Sequence, residues 1–144
     1  MKSPFFILGC TFLLLAGTAQ TTFAQSLKGK WKGESNGEVG MMSFDKEGYV
    51  TFTSGGETVG GKNFTSEGIT MSMRYETDDT KDPATLDFVM QVEGLEFEAA
   101  RMQGIYKFVN PKTLIVNMDF SGTHRPAKFD PGDPNQITLH KVKK

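Results

Sequence analysis

Residues 101–129 read RMQGIYKFVNPKTLIVNMDFSGTHRPAKF, and their pattern decides the fold class. They hold two runs of strand character, 104–109 and 113–120, joined by Asn110, Pro111 and Lys112. Pro111 has no amide hydrogen to give a ladder and Asn110 suits a turn, so a tight antiparallel hairpin is expected. In the second run Leu114, Val116, Met118 and Phe120 fall on one face, while Ile115, Asn117 and Asp119 fall on the other. That period of two marks a strand with one buried face. Ser121 and Gly122 break the run, and His124-Arg125-Pro126 lead on to Phe129.

The same pattern recurs upstream. Short extended segments are expected over 30–34, 39–44, 49–53 and 58–65, punctuated by Asp45-Lys46-Glu47-Gly48, Ser54-Gly55-Gly56 and Gly60-Gly61. Ile69, Met71, Met73 and Tyr75 alternate with Thr70, Ser72, Arg74 and Glu76. Beyond a polar loop at 77–83, Leu86, Phe88, Met90 and Val92 again take alternate positions. Gly94 reads as a turn or bulge before a segment at 96–103, and 137–143 closes the chain. No stretch has the period of an amphipathic helix. Strands about ten residues apart with turn signals between them imply an all-β sandwich or barrel. Short connections favour an up-and-down antiparallel barrel of about 8–10 strands, which also removes exposed sheet edges.

Residues 1–24 are read as a signal peptide and 25–144 as the barrel domain. Lys2 is a short positive region, 5–16 is an apolar core, and Thr22-Phe23-Ala24 offers a cleavage site. The apolar run is shorter than the roughly 20 residues a bilayer span needs. Ile7-Leu8-Gly9-Cys10 is similar to a lipoprotein cleavage box, but it precedes most of the apolar run, so lipid anchoring through Cys10 is disfavoured. Export to the periplasm or the extracellular space is expected. Loss of the leader removes Lys2 and the only cysteine, leaving 15 basic and 17 acidic side chains and a formal charge of −2. A near-neutral chain without a basic run argues against nucleic acid as a partner. Without cysteine there is no disulfide framework or thiolate site, so about 120 residues must be held by one hydrophobic core.

Two landmarks favour the barrel. Gly29-Lys30-Trp31 opens the first strand, and Trp31 has the bulk to close one end of a small barrel. Arg125 follows a late strand, and a guanidinium can stack on an indole face. Gly29, Trp31 and Arg125 are therefore the expected closure residues, with Arg125 or another late-strand cation against the Trp31 ring. Together with Gly104-Ile105-Tyr106, Lys112-Thr113-Leu114 and Arg125-Pro126-x-x-Phe129, they resemble an uncharacterised lipocalin-like family of exported bacterial proteins, numerous in planctomycetes. Leu86-Asp87 is similar to the aliphatic–Asp pair that the family carries before the hairpin. The resemblance implies a calycin-type barrel and brings no activity with it.

Few residues suggest chemistry. His124 and His140 lack metal-ligand spacing, and Asp78, Asp79 and Asp82 lack the ligand order of a calcium loop. Asp130-Pro131-Gly132-Asp133-Pro134 reads as successive turns. There is no G-x-S-x-G elbow and no recognisable carboxylate pair, so an enzyme is not expected, and no cofactor or metal is assigned. Methionine is abundant, and Met71-x-Met73 puts two thioethers on one face. Soft sulfur can hold Cu(I), but core packing is the simpler reading. The expected function is capture of a small apolar molecule, with Met71, Met73, Tyr75, Phe88, Met90, Tyr106 and Met118 as cavity wall. Arg74 and Arg101 are candidates to orient the guest, on strand faces that a one-residue slip would reverse. The alternative is a structural or interaction module with a self-filled barrel and an envelope or secreted protein as partner.

Overall fold

The computed structural model describes residues 26–35 and 37–143; the expected leader, with Cys10, lies outside the described residues. Among these, nine strands run in chain order: β1 (Gly29–Ser35), β2 (Glu38–Phe44), β3 (Val50–Ser54), β4 (Glu57–Ser66), β5 (Ile69–Asp78), β6 (Thr85–Val92), β7 (Glu98–Asn110), β8 (Thr113–Asp119) and β9 (Gln136–Lys141). The described residues contain no helix. Each strand pairs antiparallel with the next, and β9 pairs antiparallel with β1, so the sheet is a closed barrel. The hairpin expected around Pro111 is the β7–β8 connection, with the Lys112 amide donating to Asn110 Oδ1 at 2.9 Å. The segments expected separately at 96–103 and 104–109 form one 13-residue strand, β7.

An odd number of straight strands cannot close a ring in which every neighbour is antiparallel. β4 resolves the conflict by bending. Its first half pairs with β3 as far as Thr51↔Gly60, and its second half pairs with β5 from Gly61↔Met73. Gly60 and Gly61 sit at the corner with φ of 97° and 88°, a region that L side chains rarely adopt. A Cβ at Gly60 would lie 2.4 Å from the Val50 carbonyl oxygen. β3 and β5 meet directly below the corner, where Tyr49 bridges Arg74.

This register fixes the two ends of the barrel. The β1–β2, β3–β4, β4–β5, β6–β7 and β8–β9 turns lie at one end, here called the mouth. The β2–β3, β5–β6 and β7–β8 connections and residues 26–28 lie at the other, the floor. Alternation carries Trp31, Met42, Phe44, Val50, Met73, Leu86, Phe88, Leu114, Val116, Met118 and Leu139 into one buried cluster. Each such fully buried side chain contributes roughly 1.5–3 kcal/mol of transfer free energy. On the outside, Asp87, Val89, Ile105 and Asn117 are buried as well, although they point away from the core. Residues 120–135 run as a strap over the outer faces of β6, β7 and β8, and this cover buries them.

Candidate functional site

The floor is closed. Trp31 is fully buried, its Nε1 donating to the Leu27 carbonyl at 2.7 Å, and its ring lies 6.1 Å from that of Phe108. The cation against it is Lys141 of β9, with Nζ 5.4 Å from the ring centroid. The expected late-strand cation is thus present, but it is not Arg125, which lies elsewhere. It lies in the strap, on the outer wall, and the reason is a better electrostatic partner. Its Nη1 donates to Asp87 Oδ1 at 2.6 Å and to the Gly104 carbonyl at 2.8 Å, and its Nη2 donates to Asp87 Oδ2 at 3.2 Å. A charge-assisted pair with a buried carboxylate outweighs stacking on an indole. Gly29, with φ of 121°, opens β1 at the floor, where an added Cβ would meet Lys141 Cε at 3.2 Å.

The residues expected to line a cavity share the inner face, but not all surround a space. Met73, Phe88 and Met118 are buried, and Tyr75, Met90 and Tyr106 pack against them. Phe44 meets Tyr75 edge-on at 4.9 Å, and Phe52 meets Phe88 at 5.1 Å. Their side chains fill the middle of the barrel. Met71 is half-buried and borders a small cleft of about 230 Å³ with Ser72, Gln91 and Leu95. Arg74 and Arg101 are corrected outright. Each lies between inward-facing neighbours, so the alternation of the strand turns it outward. Arg74 is exposed, and Arg101 joins Asp87 on the outer wall.

Space on the inner face is found at the mouth, at a place the sequence did not point to. A pocket of about 250 Å³ lies between β9, β1, β2 and β3. Gly33, Gly40, Met42, Phe52, Ile137 and Leu139 make its apolar wall, and Glu34, Glu38, Thr53 and Ser54 form its lip. Glu38 shares the inward phase of Gly40, Met42 and Phe44, but it stands at the end of β2 and is exposed. Gly33 leaves room for Leu139, whose Cδ2 would be 2.6 Å from an added Cβ. At Gly40 an added Cβ would meet only ordinary contacts, the nearest 3.5 Å away. The space over Gly40 is therefore open.

The outer wall holds a second charged assembly. Arg101 Nη1 donates to Asp87 Oδ2 at 2.8 Å and to Glu76 Oε2 at 2.9 Å, and its other nitrogens reach Glu98. Burial would raise the Asp87 pKa, but hydrogen bonds from Arg125 and Arg101 prevail and hold it below the ordinary carboxylate value. Asn117 Nδ2 donates to the Lys128 carbonyl at 3.2 Å and to Asp133 Oδ2 at 3.3 Å, pinning the far limb of the strap. At the strap's start, Asp119 accepts from Ser121, Thr123 and the His124 amide. These bonds, the Ser121 hydroxyl foremost, lower its pKa. A cleft of about 640 Å³ lies between the strap and the β5–β6 loop, and among its lining groups Asp87 and Arg125 are engaged with each other.

Among the described residues no three His, Cys, Asp or Glu side chains are grouped to hold a metal ion. Asp78 is committed locally, accepting from the Thr80 amide at 3.0 Å, and the side-chain hydrogen bond of Thr80 lowers its pKa. The turns expected over 130–135 are present, with Asp130 Oδ1 accepting from Gly132 and Asp133 Oδ1 from Asn135. Comparison of the chain with protein-family models, curated proteins and solved structures finds no match.

Proposed function

We propose that the protein is an exported, non-catalytic binding protein that takes a small, mainly apolar guest through the mouth of its barrel. The observation that carries this reading is the apolar pocket between β9, β1, β2 and β3, opening beside Gly40. Binding sites are typically concave and apolar with a few polar groups at the edge, and this pocket has that character at the small end of the range. A cavity of about 150 Å³ holds benzene, so this one suits a guest of about ten carbon atoms.

Gly40→Leu tests it. The new side chain would project into the pocket without backbone strain. Naphthalene, whose own fluorescence reports its transfer from water, should bind the native protein and not the variant, and melting should be nearly unchanged. The packed middle of the barrel favours a second reading, a self-filled module whose surface meets an envelope or secreted protein. If the native protein captures no naphthalene, that second reading replaces the first.

A further inference from the structure

We infer that the guest of the mouth pocket is a cation: an ammonium group on an apolar body. This rests on the proposed binding site and assigns its ligand class. The support is the segregation of charge along the barrel axis. Four of the five mouth connections, at 34–40, 53–58, 66–70 and 92–97, carry Glu34, Glu38, Glu57, Glu67, Glu93 and Glu96 with no Lys or Arg; the fifth, between β8 and β9, carries Arg125 and Lys128 beside Asp130 and Asp133, and its Arg125 is paired with Asp87 on the outer wall. All six glutamates are exposed, and none forms an ion pair among the described residues. The floor is mixed, since Lys28, Lys46, Lys81 and Lys112 share its connections with Asp45, Glu47, Asp78, Asp79 and Asp82.

Two of the mouth glutamates belong to the pocket itself. Glu34 and Glu38 stand on its lip from adjacent strands: Glu38 has the inward phase, and Glu34, outward in phase, borders the pocket at the rim where β1 ends. Beneath them the wall is apolar, so an amphiphile seats its hydrocarbon on Met42, Phe52 and Leu139 and leaves its charged end at the carboxylates. Ser54, which shares the inward phase of Phe52, adds a hydroxyl oxygen able to accept an ammonium hydrogen bond, while the Thr53 hydroxyl is paired with that of Thr58 at 3.0 Å. The remaining glutamates contribute a field that attracts cations to the mouth and repels anions of the same shape. A carboxylate-bearing guest such as a fatty acid would meet that field with the wrong sign.

Three guests of matched body and different head distinguish the outcomes: 2-naphthylmethylamine, 2-naphthalenemethanol and 2-naphthoate, titrated by fluorescence at neutral pH. The amine should bind about fivefold or more tightly than the alcohol, the scale of one or two exposed ion pairs, and the carboxylate should bind most weakly. The preference should shrink in 1 M salt, where the screening length is about 3 Å. It should also shrink in Glu34→Gln/Glu38→Gln. If amine and alcohol bind alike, or the double variant keeps the full preference, the charge inference is overturned and the apolar pocket stands. If none of the three binds, the pocket reading falls, and the charge inference with it.

Discussion

The two ends of the barrel are made from the same strands and behave in opposite ways. At the floor, Trp31 is buried under Leu27, Phe108 and Lys141, and the N-terminal segment supplies the acceptor its indole needs. At the mouth, the corresponding inward positions of β1 and β2 are glycines, Gly33 and Gly40, and the strand ends carry glutamate. A large aromatic at one end and missing side chains at the other taper the interior. The difference teaches that filling and opening are decided by a few positions at each rim, while the alternation of strands is common to both.

The largest expected effect is at the floor. Trp31→Ala should lower stability by about 3–5 kcal/mol, the range for a buried aromatic. Mouth substitutions of similar size change should not approach it. Equal melting of Trp31→Ala and the native protein would remove the contrast between the ends.

Next in size is the latch on the outer wall. Asp87→Asn should cost about 2–3 kcal/mol at neutral pH, less than a fully buried pair because Arg101 and Arg125 are 29% and 30% exposed. Asp87 has a depressed pKa in the fold, so its contribution is present above its unfolded value, about 3.9, and is lost as pH falls through the lower folded one. Native and variant stabilities should therefore begin to converge below about pH 4 and meet only below the folded value. A difference that stays constant through acid titration would show that Asp87 acts by shape and not by charge.

Gly104→Ala sharpens the account of the middle. An added Cβ would lie 2.7 Å from the Asn117 carbonyl oxygen and 2.7 Å from Met118 Cε. Met118 can yield, but the β8 backbone cannot do so freely, and overpacking of this kind costs about 1–3 kcal/mol. Thermal melting measures it, and an unchanged midpoint would mean that β7 and β8 separate easily.

Much of this was legible in the sequence. The alternation of Leu114, Val116 and Met118, and of Met71, Met73 and Tyr75, is local and survives folding unchanged, so the strands and their inner faces follow from it. The all-β character follows from their spacing, which left sandwich and barrel open, and the short connections favoured the barrel. Pairings between distant residues were not legible. Arg125 and Asp87 are 38 positions apart, and only the path of the strap over β6 brings them together. The corner at Gly60 and Gly61 reads in sequence as a mere turn signal, because its effect is to correct the parity of the ring. The mouth pocket was missed for a related reason. Gly40, Met42 and Leu139 have the right phase, but which end stays open depends on how β9 registers against β1. Whether inward methionines fill or line space is a matter of volume, which phase does not encode.

The smallest expected effect belongs to the methionines between the two ends. Met73 is buried and faces Met90 across the β5–β6 ladder, while Met71 is half-buried nearer the mouth. Met71→Leu/Met73→Leu keeps volume and apolar character while removing both thioethers, so it should cost less than about 1.5 kcal/mol. Neither residue lines the mouth pocket, so naphthalene should bind as before. Titration with Cu(I) under reducing conditions supplies the other half of the test. If these sulfurs serve as packing, native and variant proteins should respond alike to the metal. A native protein that binds Cu(I), with the binding lost in the double variant, would make the inner face of β5 a soft-metal site. A variant that keeps its fold but loses naphthalene would show that the packed middle and the open mouth are one continuous cavity, and the contrast between the ends would then have to be redrawn.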